Sequence, residues 1–348
     1  MLHECDSVPS NKEIPILTTF PLPIFLLILK LGGRRRRFET VEGLRRAIAV
    51  ERRESNACPP SELHEKFAIS VERIEGCDCY TMGPRSNASE VNAMYLHGGA
   101  HIAEMSRHHW LLLAEMVSRT SCTVHVPIYP LAPEHSHRDA FKMVIEAYRR
   151  LADHVDPRNM VLMGDSSGGG FALAVAQQLK QFGLPQPRDI ILISPWLDLT
   201  VSNPEIPRLE RRDPWLAAKG LAEAGRMWAA GDDIAQPSLS PINGPLQGLG
   251  RITIFIGGRD LLFAECRELR ARAQKEAVEI QWIEDPKMIH VWPLLPIKAA
   301  ISARKRISNI LASRSGGALN PAFPIEPVTA NLEHGGQSRS DHPTVQDQ

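Results

Sequence analysis

The sequence lacks an excess of charge of either sign, because its 348 residues carry 40 basic and 40 acidic side chains. Proteins that bind nucleic acids through phosphate contacts carry a clustered basic excess, so the charge balance gives no indication of such a partner. Aromatic residues are scarce, at 6%, whereas 43% of all residues are hydrophobic, a proportion typical of globular proteins. The length allows either two domains or one large α/β domain.

The six cysteines lack the spacing of a zinc site or of a disulfide framework. Cys77 and Cys79 form a lone C-x-C, which we interpret as ordinary small residues near a strand. Free thiols are typical of a reducing compartment and favour a cytoplasmic location. Neither a cluster of metal ligands nor a dinucleotide-binding fingerprint is present, so we expect no metal and no cofactor.

One hydrophobic run, residues 14–31, approaches the length of a membrane span. Pro15, Pro21 and Pro23 would break its first half and leave a helix too short to cross a bilayer. Acidic residues precede the run and no small-residue cleavage site follows, which is atypical of a signal peptide. We interpret the run as part of a lid or as an interfacial foot with weak membrane association. A membrane anchor, with residues 34–37 held in the cytosol, stays open as an alternative.

From residue 91 onward, short hydrophobic runs alternate with helical patterns, as in NMVLMGD followed by GGFALAVAQQLKQFG. Such alternation predicts a mainly parallel sheet with helices on both faces, whose ligands bind beyond the carboxyl ends of the strands. Residues 195–250 interrupt it with many prolines and one helix over about residues 215–230, and we interpret them as an insertion above those ends. The polar tail, residues 314–348, is predicted to be disordered.

The pentapeptide GDSSG places Ser166 between a hydrophobic run and an apolar helical pattern. It matches G-x-S-x-G, the sharp strand-to-helix turn that exposes a nucleophilic serine. A structural turn or a phosphate-binding loop would be the alternatives, and the latter lacks its G-K-[ST] ending. A serine hydroxyl is a weak nucleophile, so a base, an orienting acid and oxyanion donors are required elsewhere in the chain.

The base is expected late in the chain if the order is serine, acid, histidine. Three histidines follow the strand RITIFIGG, at positions 290, 334 and 342, and the last two fall in the tail. His290 in KMIHVW is therefore the candidate base. Asp260 in GGRDLL ends the preceding strand and is favoured as the acid. Asp198 is the second candidate, whereas Asp285 lies too close to the histidine in sequence.

The oxyanion donors are expected in the loop after VNAMYL, where HGGA stands. Gly98 and Gly99 can bring backbone N–H groups close to a tetrahedral intermediate, and Ser167 offers a third N–H directly after the nucleophile. Three residues of the predicted inserted helix are candidates for an acyl or ring pocket, with packing as the alternative: Trp215, Met227 and Trp228.

Several motifs in this order resemble the hormone-sensitive-lipase-like branch of the α/β-hydrolases. YLHGGAHI is similar to its oxyanion motif, and GDSSGGG is similar to its nucleophile motif. IYPLAPEH, SPWLDLTVSNPEI and MIHVWPLLP resemble further stretches of members described as esterases or monoterpene ε-lactone hydrolases. The resemblance spans residues 70–312. Ala100 replaces the last glycine of the common HGGG, and Ser167 replaces a common alanine, but neither change removes an amide donor.

The resemblance implies an α/β-hydrolase fold with a catalytic domain over residues 70–313 and a small lid. The lid would comprise the N-terminal segment, residues 1–69, and the insertion, residues 195–250. The implied activity is a serine hydrolase that cleaves esters or lactones of small to medium apolar compounds through an acyl-enzyme. A non-catalytic receptor is one alternative, since the related plant gibberellin receptor lacks the triad histidine. A membrane-associated lipase is another, and the oligomeric state, including a homo-oligomer, is open.

Overall fold

The computed structural model describes residues 19–54 and 57–313. All the elements given below lie in one compact unit, Met1–Ser315. The predicted tail and the first five residues of the hydrophobic run, 14–18, lie outside the described residues.

Eight strands form a single sheet. They are β1 (Phe67–Ile74), β2 (Cys77–Pro84), β3 (Asn92–Leu96), β4 (Thr123–Pro127), β5 (Met160–Asp165), β6 (Asp189–Ile193), β7 (Arg251–Gly257) and β8 (Ile280–Asp285). Their order across the sheet is β1-β2-β4-β3-β5-β6-β7-β8. β2 pairs antiparallel with β1 and β4, and all other neighbours are parallel. The predicted mainly parallel sheet is confirmed.

Eleven α-helices accompany the sheet in the described part of the chain. They are α1 (Leu22–Leu31), α2 (Arg36–Glu39), α3 (Val41–Glu54), α4 (Ser61–Lys66), α5 (Arg107–Thr120), α6 (His137–Ala152), α7 (Ser166–Gln178), α8 (Ile206–Glu210), α9 (Ala218–Ala229), α10 (Phe263–Lys275) and α11 (Lys298–Ala312). The helix α11 was not predicted from the sequence. α7 ends at Gln178, and a short 3₁₀ turn, Leu179–Phe182, follows it and ends at Gly183, which has φ 67°.

The central strands are buried on both faces, which is why they are hydrophobic without interruption. Ile190 and Leu192 of β6 point to one cluster of buried side chains, which also contains α6, α7 and α10 residues. Ile191 and Ile193 point to a second cluster that contains α5 and α11 residues. Alternate residues of a strand face opposite sides, so helices cover both faces of the sheet as predicted.

The N-terminal segment and the insertion meet above the sheet. Gly220 in α9 lies so close to α2 that a Cβ atom there would stand 2.5 Å from the Cα of Phe38. Only glycine permits this approach. Trp215 precedes α9 instead of lying within it as predicted, because the Asp213 carboxylate accepts the N–H of Trp215 and of Leu216 and fixes a turn there.

The helix α1 is apolar on both sides, but only one side is packed. Leu29 is buried, and Leu22, Phe25 and Leu26 pack against the α5–α11 cluster. The opposite side, which we call the α1 stripe, is exposed and comprises Ile24, Leu27, Ile28 and Leu31. Across residues 19–54 and 57–313, no helix combines the length and the apolar character needed to cross a bilayer.

Candidate active site

The turn between β5 and α7 presents Ser166 at the carboxyl end of the sheet. Ser166 has φ 52°, a left-handed conformation that is strained for a residue with a side chain. A Cβ at Gly164 would stand 2.4 Å from the oxygen of Gly168, and one at Gly168 would stand 2.1 Å from the oxygen of Leu96. The two glycines of GDSSG are therefore required by the close approach of backbone segments in this bend.

The structure brings together the three residues that the sequence proposed as a triad. The Nε2 atom of His290 lies 2.9 Å from the Oγ atom of Ser166. The Nδ1 atom of His290 lies 3.0 Å from Oδ2 of Asp260. Asp260 follows β7 and His290 follows β8, so neighbouring parallel strands deliver both side chains to one edge. All three are buried, with exposed fractions of 9% for Ser166, 0% for Asp260 and 3% for His290.

Electrostatics favour the charged form of His290. Burial alone would lower its pKa, but the charge of Asp260 and the hydrogen bond to it act in the opposite direction, with smaller contributions from Asp213 and Asp165. The net result is that the pKa of His290 is raised above its ordinary value. The sequence could not give this direction, because it depends on how many carboxylates surround the imidazole.

The other candidates for the acid do not reach this site. Asp198 accepts the backbone N–H and the hydroxyl of Thr200 with Oδ1 and thereby fixes a turn in the insertion. Asp285 accepts the N–H of Lys287. The histidines of the predicted tail, at positions 334 and 342, lie outside the described residues.

The predicted donor Gly98 requires a correction. Its backbone N–H is donated to Oδ1 of Asp165 at 2.8 Å and is not directed to a substrate. A Cβ at this position would lie 2.3 Å from the other carboxylate oxygen, so glycine is required here for close approach. The sequence could not reveal this contact, because Asp165 is 67 residues away.

The amide groups of Gly99 and Ser167 remain candidates for oxyanion donors, and the amide group of Ala100, which was not predicted from the sequence, is a further candidate. Among the described residues, no acceptor takes the N–H of Gly99, Ala100 or Ser167. The left-handed conformations of Ala100 and His101, with φ 55° and 60°, turn the chain at this point. The sequence feature that could have identified Ala100 is its place at the last glycine position of the HGGG motif, because alanine there keeps its backbone N–H.

Asp165, also missed from sequence, fixes the relation between the glycine loop and the nucleophile. Its carboxylate accepts hydrogen bonds from Gly98 and from the hydroxyl of Tyr95 and lies 3.4 Å from Nε2 of His109. Burial would raise the pKa of Asp165, but His109 and these hydrogen bonds hold it below its ordinary value. Asp165 directly precedes Ser166, so a charged carboxylate joins the loop to the nucleophile.

Two of the predicted pocket residues are packing residues. Trp228 is 1% exposed, and its ring stacks on His101 with centroids 4.1 Å apart and an interplanar angle of 5°. Met227 packs against the same hydrophobic cluster and does not line the cavity described below. The helical period of α9 therefore turns both side chains away from Ser166. Only Trp215 of the three predicted residues lines the cavity.

A cavity of about 200 Å³ lies above Ser166 and His290. Its apolar wall includes Phe38, Leu44 and Ile48 of the N-terminal segment and Trp215, Leu216 and Leu221 of the insertion. Ile102, Val291, Leu294 and Leu295 of the catalytic domain complete it. Its polar residues include Arg34, Arg37, Glu51, Glu104 and His108. The ranges 19–54 and 57–313 contain no group of three or more His, Cys, Asp or Glu side chains arranged to hold a metal ion. The arrangement is suited to attack on an uncharged carbonyl group by Ser166.

Comparisons with known proteins agree with this geometry. A family model described as alpha/beta hydrolase fold matches residues 93–294. An esterase of Acinetobacter venetianus is 31% identical over 191 residues, which span 54% of this chain and 63% of that protein. An acetyl-hydrolase of Streptomyces hygroscopicus is 31% identical over 208 residues, which span 58% of this chain and 70% of that protein.

Among solved structures, a putative esterase from Staphylococcus aureus matches with a TM-score of 0.75 at 30% identity. The match covers 81% of this chain and 96% of that one. The resemblance to α/β-hydrolases expected from the motifs is confirmed by these similarities.

Proposed function

Since this chain belongs to the alpha/beta hydrolase fold family and is a carboxylic ester hydrolase, we propose that Ser166, His290 and Asp260 carry out its reaction. The observation that carries this proposal is the hydrogen-bonded series from Ser166 through His290 to Asp260, with distances of 2.9 and 3.0 Å, beneath the cavity. Oγ of Ser166 attacks the ester carbonyl carbon while Nε2 of His290 takes the hydroxyl proton. Asp260 orients the imidazole and stabilises the imidazolium that forms.

The reaction then proceeds through two tetrahedral intermediates, one formed by Ser166 and one formed later by water. The bond between the carbonyl carbon and the alcohol oxygen breaks, and His290 returns its proton to the departing alcohol. Water enters, gives a proton to His290 and attacks the acyl-enzyme, and Ser166 leaves with the proton from His290. A lactone passes through the same steps, but its alcohol and acid stay in one molecule.

The oxyanion is held by the backbone N–H groups of Gly99, Ala100 and Ser167. Each such donor typically stabilises the transition state by about 3 kcal/mol. The first turn of α7 adds its unpaired N–H groups and the positive end of its dipole. Arg52 of α3 joins the end of the glycine loop to the following segment, since it donates to the carbonyl oxygens of Ile102 and Ala132 and forms an ion pair with Glu134.

The substrates are esters or lactones with a small to medium apolar part. The apolar wall of the cavity takes the hydrocarbon portion, and burial of this surface provides the binding free energy. Because part of the N-terminal segment and the insertion 195–250 supply part of this wall, they act as a lid over the catalytic domain, residues 70–313. A receptor function is not favoured, because His290 is present and correctly placed for catalysis.

The pH dependence of kcat/KM tests this proposal. His290 must be neutral to accept the serine proton, and its pKa is raised, so activity should fall as the pH decreases through a value above about 6.5. The measurement is a pH profile on a panel of p-nitrophenyl esters and lactones, with labelling of Ser166 by a fluorophosphonate as a second readout. Labelling and hydrolysis should decline together in acid. Labelling that stays constant down to pH about 5 would contradict the role of His290.

For the partners and location of the protein, we propose that the α1 stripe rests on the surface of an anionic membrane from the cytoplasmic side. Its four apolar residues are exposed by 47–78%, and the exposed side chains of Lys30 and Arg36 provide basic charge nearby. Cavity residues Arg34 and Arg37 follow α1 within six residues, so the stripe and the cavity share one segment. Among the described residues, Cys77, Cys79, Cys122 and Cys266 form no disulfide, which supports a reducing location.

Vesicle sedimentation tests the α1 stripe. Leu27→Glu should weaken binding of the full chain to phosphatidylserine-containing vesicles by about tenfold or more. It removes one apolar side chain that the membrane would bury, and its negative charge is repelled by the anionic lipids. Phe182→Glu is the matched control, because Phe182 is an exposed apolar residue outside the stripe. Equal binding of Leu27→Glu and wild type would contradict the proposal. A dimer in size exclusion that Leu27→Glu dissociates would assign the stripe to a second copy instead.

A further inference from the structure

A second buried carboxylate lies beside the triad and has no part in the reaction as described. Asp213 is 2% exposed and stands in the loop between α8 and α9. Its Oδ1 accepts the N–H of Trp215 at 2.7 Å and of Leu216 at 2.9 Å. Its Oδ2 accepts the N–H of Leu261 at 2.7 Å. The side chain therefore joins the insertion to the segment that carries the catalytic acid.

Asp213 and Asp260 hold adjacent peptide groups of the same turn. Asp260 accepts the N–H of Leu262 at 3.0 Å with Oδ1, while its Oδ2 faces His290. The N–H of Leu261, which lies between Asp260 and Leu262 in the sequence, is donated to Oδ2 of Asp213. The orientation of the Asp260 carboxylate thus depends on a turn that Asp213 fixes from outside. Hydrogen bonds to a charged acceptor are among the stronger ones in proteins, so this turn is well determined.

The other side of the loop that contains Asp213 contacts the arginine run of the N-terminal segment, residues 34–37. Nη1 of Arg35 donates to the carbonyl oxygens of Glu210 and Asp213. The guanidinium of Arg34 lies 4.8 Å from the ring centroid of Trp215. The ring of Trp215 in turn meets the imidazole of His290 edge to face, with centroids 5.9 Å apart. One loop therefore contacts the acid and the base on one side and the N-terminal segment on the other.

Charged groups around this loop act on both His290 and Asp213. The carboxylates that act on His290 are those of Asp260, Asp213 and Asp165, and all three raise its pKa. Asp213 itself faces Asp260, His290 and, at its carbonyl, Arg35. Burial and the neighbouring charge of Asp260 raise the pKa of Asp213 to about 6. In its charged form, Asp213 favours the imidazolium, which is the form of His290 that develops during attack.

We propose that Asp213 is a positioning residue that orients Asp260 toward His290, and that Arg35 makes this action depend on the N-terminal segment. The inference rests on the proposed catalytic roles of His290 and Asp260. It assigns to the arginine run a function in the activity, whereas the sequence alone suggested only a charged flank of an anchor.

The substitution Asp213→Asn tests the first part. It removes the negative charge, so the acid limb of kcat/KM should move to lower pH by about one unit. At the optimum, kcat should fall by about tenfold and KM of a small ester should stay within about twofold, because the residue does not touch the substrate. Asp198→Asn is the matched control, since Asp198 also accepts a backbone N–H in the insertion but makes no contact with the triad. An acid limb of Asp213→Asn at the same pH as that of the wild type overturns the proposal. If the activity of the wild type itself does not fall in acid, the proposed function is contradicted instead.

A double-mutant cycle tests the second part, with kcat of each variant expressed per competent site so that partial unfolding of Asp213→Asn does not distort the comparison. Arg35→Ala should lower kcat by about fivefold to tenfold, and Arg36→Ala, an exposed neighbour, should leave it unchanged. The combined variant Arg35→Ala with Asp213→Asn should lose less than the product of the single losses, because both act through one loop. Fluorophosphonate titration gives the fraction of competent sites in each variant. Multiplicative losses, or an Arg35→Ala protein with wild-type kcat, overturn the link to the N-terminal segment.

Discussion

Replacing Ser166 with alanine should lower kcat for ester hydrolysis by about 10⁴-fold or more, while the protein stays folded. The hydroxyl is the only part of the residue that changes, and the hydrogen bond from Oγ to His290 is the start of the proton path. Alanine adopts the left-handed conformation of residue 166 at a cost similar to that of serine. Thermal unfolding of Ser166→Ala should therefore resemble that of the wild type.

The neighbouring serine provides the control for this experiment. The hydroxyl of Ser167 accepts the N–H of His101 at 3.2 Å, and Ser167→Ala removes it without removing the backbone donor. We expect a loss of kcat below about tenfold, because the oxyanion donor is retained. Near-normal turnover by Ser166→Ala, or equal losses in the two variants, would contradict the assignment of Ser166 as nucleophile.

Replacing Asp260 with asparagine should lower kcat by about 10⁴-fold, the second largest effect that we expect. Asparagine fits the same space, and its carbonyl oxygen can still accept the N–H of Leu262. Its amide group, however, presents a donor or a weaker acceptor to Nδ1 of His290, which favours the wrong tautomer and no longer stabilises the imidazolium.

Asp198→Asn serves as the comparison for Asp260→Asn, because Asp198 was the second candidate for the acid. Its carboxylate fixes the turn at Thr200, so we expect a lower melting temperature with kcat within about threefold of the wild type. Steady-state kinetics and thermal unfolding of both variants separate the two roles. If the two proteins exchange these behaviours, Asp198 is the acid and the observed geometry is not the catalytic one.

The arrangement of the triad was predictable from sequence because it follows from chain order and from strand ends. Ser166 lies in a motif whose local geometry is encoded by two glycines, and Asp260 and His290 each follow a recognisable strand. Parallel strands end at one edge of the sheet, so residues far apart in sequence converge without any knowledge of side-chain packing. The family-level expectation rested in addition on the resemblance of several motifs, among them YLHGGAHI and GDSSGGG, to those of known α/β-hydrolases.

The contacts between side chains and distant backbone groups were not predictable. The N–H of Gly98 is occupied by a carboxylate 67 residues away, and the N–H of Leu261 by one 48 residues away. Nothing in the local sequence of Gly98 or Asp213 specifies these partners. The same applies to Trp228, because the helical period of α9 gives a face but not the identity of what that face contacts. Sequence patterns define elements, while tertiary packing decides which polar groups remain available.

The close approach of Gly220 to Phe38 has a consequence for how this enzyme diverges from its relatives. Part of the apolar wall of the cavity is encoded in two stretches of sequence about 180 residues apart, and their backbones touch where no side chain fits. A larger residue at position 220 would separate the stretches and reshape the cavity at once. We therefore expect substitutions in the two stretches to covary among relatives that act on different substrates.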